Sequence, residues 1–266
     1  MAFEVRHFME MLERIAPLEL AEPWDNPGLQ VGDLSMPVNR VFVSLDPTLE
    51  AVRFAANAHA QVLFTHHPLI FKPISHIETT TYPGDVIGVA LTQGIAIVTA
   101  HTNLDAAQGG INDMLAQLLG LDHVAVLSPA SAFEQVGLGR IGDLPGSIPL
   151  ADFALKVSKA LGATRQLTRV GEESRPIRRV AVVGGSGGSL VRLAHQKGAD
   201  LLLTGDVGHH TALEAATLGI ALLDGGHFRT EKAAFTAFSR HLAARCGAKG
   251  WTVQFQIHEN ETDPMY

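Results

Sequence analysis

Two adjacent histidines at the end of an apolar run are the residues of this chain best suited to chemistry. His66 and His67 follow Val62-Leu63-Phe64-Thr65 and are closed off by Pro68. Imidazole binds divalent ions readily and is the side chain that titrates nearest neutrality. Successive strand residues face opposite sides, so one site that uses both rings requires the extended chain to break there, which a following proline favours. The alternative is a pair of loop histidines capping a strand. Cys246 is the only cysteine, which excludes an internal disulfide and a thiolate cluster. A metal here would have to be held by imidazole and carboxylate, and the chain carries 13 histidines.

Two further stretches offer matching groups. His101-Thr102-Asn103-Leu104-Asp105 follows the apolar run 95–100, and His227-Phe228-Arg229-Thr230-Glu231 opens a long helical pattern. A spacing of four places His227 and Glu231 on one helix face. The candidate ligands are therefore His66, His67, Asp105, His227 and Glu231. Three imidazoles and two carboxylates without a thiolate suit Zn, Fe, Mn, Co or Ni. A bridging carboxylate, Asp105 or Glu231, would hold two ions about 3.5–4 Å apart with a shared, activated water as nucleophile. Asp105 could instead cap the turn before Gly109, and Glu231 could be a surface carboxylate. His101, His209 and His210 are candidate acid/base groups, with hydrogen-bonded structural histidines as the alternative. Gly184-Gly185-Ser186-Gly187-Gly188-Ser189 lies between a strand and a helix, where backbone amides can receive a phosphate. It has neither the Lys-Ser/Thr of a Walker loop nor a GxGxxG spacing, and a tight turn is the simpler reading.

The elements that must position these groups follow from periodicity. Helices are predicted over Val5–Ala16 (with Phe8, Met9, Leu12 and Ile15 on one face), Thr48–His59, Asp85–Thr92, Ile111–Leu119, Leu150–Leu161 and Ser189–Lys197. Strands are predicted over Arg40–Leu45, Gln61–Thr65, Ile95–Ala100, Val136–Gly142, Gln166–Val170, Arg179–Val183 and Asp200–Thr204. Trp24–Gly32 reads as a loop, and the polar tail His258–Tyr266 carries no anchoring signal. Strands alternating with helices imply a parallel sheet.

The second half repeats the first. Residues 179–204 laid on 40–65 without a gap give nine identities in 26 positions, among them Val52/Val191, Ala55/Ala194, Leu63/Leu202 and Thr65/Thr204. Ala90–Val98 lies on Ala215–Leu223, and one further inserted residue sets His101 and Asp105 opposite His227 and Glu231. The expectation is two similar α/β lobes, 1–127 and 128–266, with ligands at the carboxyl ends of strands, where sites in such sheets lie.

Composition bounds the partners. The balance of 20 Lys+Arg against 27 Asp+Glu gives a net charge of −7 with no basic run, so a general grip on nucleic acid is not expected. Neither a leader pattern at the N-terminus nor an 18-residue apolar run is found, so a cytoplasmic protein without a membrane span is expected.

Taken together, Trp24-Asp25-Asn26-Pro27-Gly28-Leu29, Thr65-His66-His67-Pro68-Leu69-Ile70-Phe71, His101-Thr102-Asn103-Leu104-Asp105 and Gly226-His227-Phe228-Arg229-Thr230-Glu231 resemble the signature blocks of the Nif-three-like family, whose members carry the label GTP cyclohydrolase I type II. The resemblance implies two similar α/β lobes around a dinuclear metal cleft, with two divalent ions per chain on His66, His67, Asp105, His227 and Glu231. It also implies a homohexamer and a small-molecule, purine-nucleotide type of substrate for a metal-dependent hydrolase. A non-catalytic metal-binding or regulatory scaffold is the alternative. The segment 128–178 is too short for the inserted domain of longer members, which implies the short form.

Overall fold

A computed structural model describes residues 2–130 and 133–265. The chain opens with α1 (Val5–Ile15), β1 (Gly28–Val31), β2 (Arg40–Ser44), α2 (Leu49–Asn57), β3 (Val62–Thr65), α3 (Gly84–Gln93), β4 (Ala96–Thr99) and α4 (Thr102–Ala106). It continues through α5 (Ile111–Leu118), β5 (Asp122–Ala130), β6 (Phe133–Pro149), α6 (Leu150–Ala160), β7 (Thr168–Val170), β8 (Pro176–Ser186) and α7 (Val191–Gln196). It ends with β9 (Leu201–Gly205), α8 (His209–Leu218), β10 (Ala221–Asp224), α9 (His227–Ala248) and β11 (Gln254–Ile257). Among the described residues, no helix is long and apolar enough to cross a membrane.

The strands form two sheets, ordered β1-β4-β3-β2-β11 and β5-β6-β8-β9-β10-β7. The first has four parallel strands, β4-β3-β2-β11, with antiparallel β1 beside β4, and the second has three, β8-β9-β10, with antiparallel β7 beside β10 and antiparallel β6 beside β8. The repeat seen in the sequence is kept in the pairing register. Val41 faces Val62 in β2–β3 as Val180 faces Leu201 in β8–β9, and Leu63 faces Ile97 as Leu202 faces Leu222. Loop bonds repeat as well: Gln61 Oε1 accepts from the amides of Asn39 and Arg40, and Asp200 Oδ2 accepts from those of Arg178 and Arg179. The matched identities Val52/Val191, Ala55/Ala194, Ala60/Ala199 and Leu63/Leu202 are core residues of the respective sheets, so they record a shared packing.

Two compact units result, one made of the residues up to Leu104 together with those from Thr236 on, the other of Asp105–Phe235. This differs from the division at 127/128 expected from the sequence. For the C-terminal part the reason is β11, a strand not predicted from the sequence, which lies parallel to β2 and returns that part to the first sheet. The tail past it is anchored rather than loose. Glu261 accepts hydrogen bonds from Ser44 Oγ (2.8 Å), Leu45 N (2.9 Å) and Asp46 N (2.8 Å), and His258 is buried between Phe42 and Phe54.

Three smaller expectations also change. Part of the Trp24–Gly32 loop is β1, an edge strand whose Gly28 has φ +108°. The buried stripe of α1 is Val5, Phe8, Met11 and Leu12, with Met9 and Ile15 only half-buried. Helix 189–197 begins as a 3-10 turn over Gly188–Leu190.

Candidate metal centre

In the first unit the chain breaks where β3 ends. The amides of His66 and His67 both donate to Leu45 O (3.2 and 3.1 Å), so the alternation of the strand stops and the two rings come together, centroids 5.2 Å apart. His101, which follows β4 by two residues, joins them at 5.2 Å from the His66 ring and 5.5 Å from the His67 ring. One ring nitrogen of each of the three lies within 4.8 Å of the others, a spacing that suits metal ligands.

Each of these rings is held by its Nδ1. His66 Nδ1 lies 2.9 Å from Ala100 O, His67 Nδ1 2.7 Å from Asp46 Oδ1, and His101 Nδ1 2.8 Å from Asp25 Oδ1. A carbonyl or carboxylate oxygen can only accept, so in each ring it is Nδ1 that donates. This is the usual support of a metal-binding histidine. Burial would raise the Asp25 carboxyl, but hydrogen bonds from His101 and from the hydroxyl and amide of Thr102, with the His101 charge and the Asn26 amide, hold it down to about 2. Asp25 therefore stays anionic and keeps the His101 ring in place.

In the second unit the candidates are Asp105, His227 and Glu231. His227 and Glu231 stand in the first turns of α9, with His227 Nε2 3.1 Å from Glu231 Oε2. His227 Nδ1 lies 2.6 Å from Asp206 Oδ2. The hydrogen bond to Glu231 raises the His227 imidazole; burial opposes it, the charges of Glu231 and Asp206 add to it, and the result is about 9. Asp105 is buried in α4, where its backbone O accepts from Asn112 Nδ2 (2.9 Å). Asn112, itself fully buried, also accepts from the Gly184 amide (2.9 Å), tying α4 and α5 to the end of β8.

The Gly-rich segment that ends β8 serves this group. The Gly185 amide donates to Thr230 Oγ1 (3.0 Å) and that of Gly187 to Thr204 Oγ1 (2.7 Å), so these amides are already used by the chain rather than presented to a phosphate. Gly185 has φ +63°, and a Cβ built on it would overlap Glu231 Oε1. The glycine leaves the space that the Glu231 carboxylate occupies.

His209 and His210 are exposed at the start of α8, their rings 5.6 Å apart, and among the described residues neither falls into a ligand-type group. The anchors Asp25, Asp46 and Asp206 were not singled out for this role from sequence. Asp206 alone left a signal, since the overlay of 179–204 on 40–65, continued by two residues, sets it opposite His67. The residues present fit a divalent ion: imidazoles with Nδ1 committed, buried carboxylates and no thiolate.

The model of the Duf34/NIF3 (NGG1p interacting factor 3) family matches residues 3–264. The chain belongs to the DUF34/NIF3 family. Among its relatives, a Streptomyces coelicolor protein called GTP cyclohydrolase 1 type 2 homolog is 35% identical over 257 residues, covering 95% of this chain and 90% of that one. A Clostridium acetobutylicum protein of the same description is 31% identical over 265 residues, covering 99% and 98%. Among solved structures, a Bacillus cereus protein related to NIF3 superposes with a TM-score of 0.93 at 27% identity, covering 100% of this chain and 99% of that one. The mixed α/β fold with two sheets is thus that of the NIF3 family.

Proposed function

We propose that this NIF3-family chain is a divalent-metal-dependent hydrolase of a small heterocyclic substrate such as a purine nucleotide, with His66, His67, Asp105, His227 and Glu231 holding two ions. The observation that carries it is the shared geometry of the imidazoles: His66, His67 and His227 each have Nδ1 held by an oxygen, which fixes the ring in the orientation a metal ligand needs. The description shared by the relatives supports the purine class. When bound, the ions supply an activated water for hydrolysis at neutral pH. The chain supplies the rest. Asp25 keeps His101 in one tautomer and orientation, so that its Nε2 can move a proton beside the ligands, as an aspartate does for a catalytic histidine. His209 and His210 stand at the open start of α8, and the acid/base role is given to His101. The protein is proposed to act in the cytoplasm as a homohexamer; large apolar side chains exposed in both units, such as Leu91 and Leu155, support self-association.

The test is elemental analysis of the purified protein followed by turnover of GTP and a panel of purine nucleosides and phosphoesters. The expectation is about two divalent ions per chain, with metal and turnover both lost in His66→Ala and Glu231→Ala. Full activity in the metal-free protein would sink the reading. Metal loss on chelation that dissociates the assembly, with no turnover of any substrate, would favour the scaffold instead. Light scattering gives the native mass, expected at about six chains.

A further inference from the structure

Beside the three-imidazole cluster of the first unit stands an aromatic surface that packing does not account for. Trp24 is 57% exposed and Phe71 45% exposed, their rings in edge contact at 5.7 Å. Trp24 also meets the His101 ring at 6.2 Å. The residues flanking both are held by hydrogen bonds. Asp25 is fixed by His101 and Thr102. Asn26 Nδ2 donates to Ile70 O (2.6 Å), Gln30 Oε1 accepts from Ile70 N (3.0 Å), and Gln30 Nε2 donates to Asn26 O (2.7 Å). The loops that carry Trp24 and Phe71 are thereby braced against each other. An exposed aromatic ring on a braced loop contributes little to folding. It is a ready platform for a flat ligand, because little order is lost when the ligand stacks on it.

We propose that Trp24 and Phe71 form a stacking subsite for a planar nitrogen heterocycle, placed so that the bound ring lies beside His101. The proposal rests on the hydrolase reading above and assigns the substrate's heterocyclic end to these two residues. A base stacks on an aromatic side chain through its π face, whichever base it is, so the subsite selects flat heterocycles over sugars and simple phosphoesters.

Trp24 can be its own reporter, because the chain contains only two tryptophans. The second, Trp251, packs against Phe3 at 4.7 Å and can be removed as Trp251→Phe. In that background, guanosine is expected to quench Trp24 fluorescence saturably while ribose does not. Equilibrium dialysis of guanosine, on otherwise wild-type protein, should show binding weakened at least about fivefold in Trp24→Leu, less in Phe71→Leu, and largely kept in Trp24→Phe. No quenching by guanosine, or equal guanosine binding by Trp24→Leu and the parent, would overturn the proposal. So would a Trp24→Leu protein whose native mass changes while its guanosine binding does not, which would make the ring an interface residue. The same titration on chelated protein separates the two readings. Guanosine binding that depends on Trp24 but accompanies no turnover supports the subsite and not the hydrolase. Metal-dependent purine turnover with an unchanged KM in Trp24→Leu overturns the subsite alone.

Discussion

Gly185 is where backbone conformation and ligand geometry meet in a single residue. Its φ of +63° is one that side-chain-bearing residues avoid, and the space beside it holds Glu231 Oε1. Gly185→Ala adds both left-handed strain and a methyl group against a carboxylate. The expected outcome is a loss of about 1–3 kcal/mol in urea unfolding of the chelated protein, with lower metal content after purification. Gly162→Ala is the control: its φ is +64° but nothing lies near its Cβ, so it should show the smaller stability loss and unchanged metal content. The adjacency of His66 and His67 and the four-residue spacing of His227 and Glu231 could be read from the chain because ligand chemistry restricts the residue types. The carboxylates that orient the rings could not be read this way. Asp25 reaches His101 across 76 positions and Asp46 reaches His67 across 21, and no local pattern marks such pairs.

At the scale of elements, the two β2–β3 and β8–β9 units keep one register because their matched residues are those that fill the space between sheet and helix. A slip by one residue would turn those side chains to the other face. Hydrophobic period therefore made the βαβ units legible. The added strands were harder: β1 is short, begins at Gly28 and shifts register between Leu29 and Val31, and β11 alternates exposed and half-buried residues at a sheet edge. The long hairpin of β5 and β6 contains another feature that composition hides. Arg140 is 2% exposed, pairs with Asp113 through Nε and Nη2 (2.8 Å each), and donates to the carbonyls of Gly137, Gly139 and Ala107. Asp113 in turn accepts from the Gly109 amide (2.7 Å), so this pair fixes the turn between α4 and α5. Arg140→Ala leaves three carbonyls and a carboxylate without their donor and should cost about 3–5 kcal/mol. Arg140→Lys should recover only part of it, since one ammonium cannot reproduce the planar fork. Denaturant unfolding of the two variants against the parent measures both.

For the whole molecule, the decisive feature is that the last residues complete the first sheet. β11 adds its four residues to the edge of β2, and Glu261 then accepts three hydrogen bonds at the end of that strand, including the amide of Asp46, the residue that holds His67. The polar composition of the tail gave no hint of this, because the anchor is one carboxylate meeting amides that appear only once β2 has ended. The proposed ligand His67, held by Asp46, thus depends on residues almost two hundred positions later in the chain. A chain ended after Val253 loses both the strand and the carboxylate. It should unfold at a temperature lower by about 5 °C or more, since even 1 kcal/mol shifts a protein of this size by about 2–4 °C. Glu261→Gln keeps the strand and one acceptor oxygen while removing the charge, and should lose about 1–2 kcal/mol, as expected for hydrogen bonds to a charged acceptor weakened to neutral ones. Hydrogen exchange locates the effect. If the tail closes β2, the amides of Leu45 and Asp46 lose protection in Glu261→Gln while those of β9 do not; equal protection in both proteins would show that the carboxylate contributes nothing to that strand end.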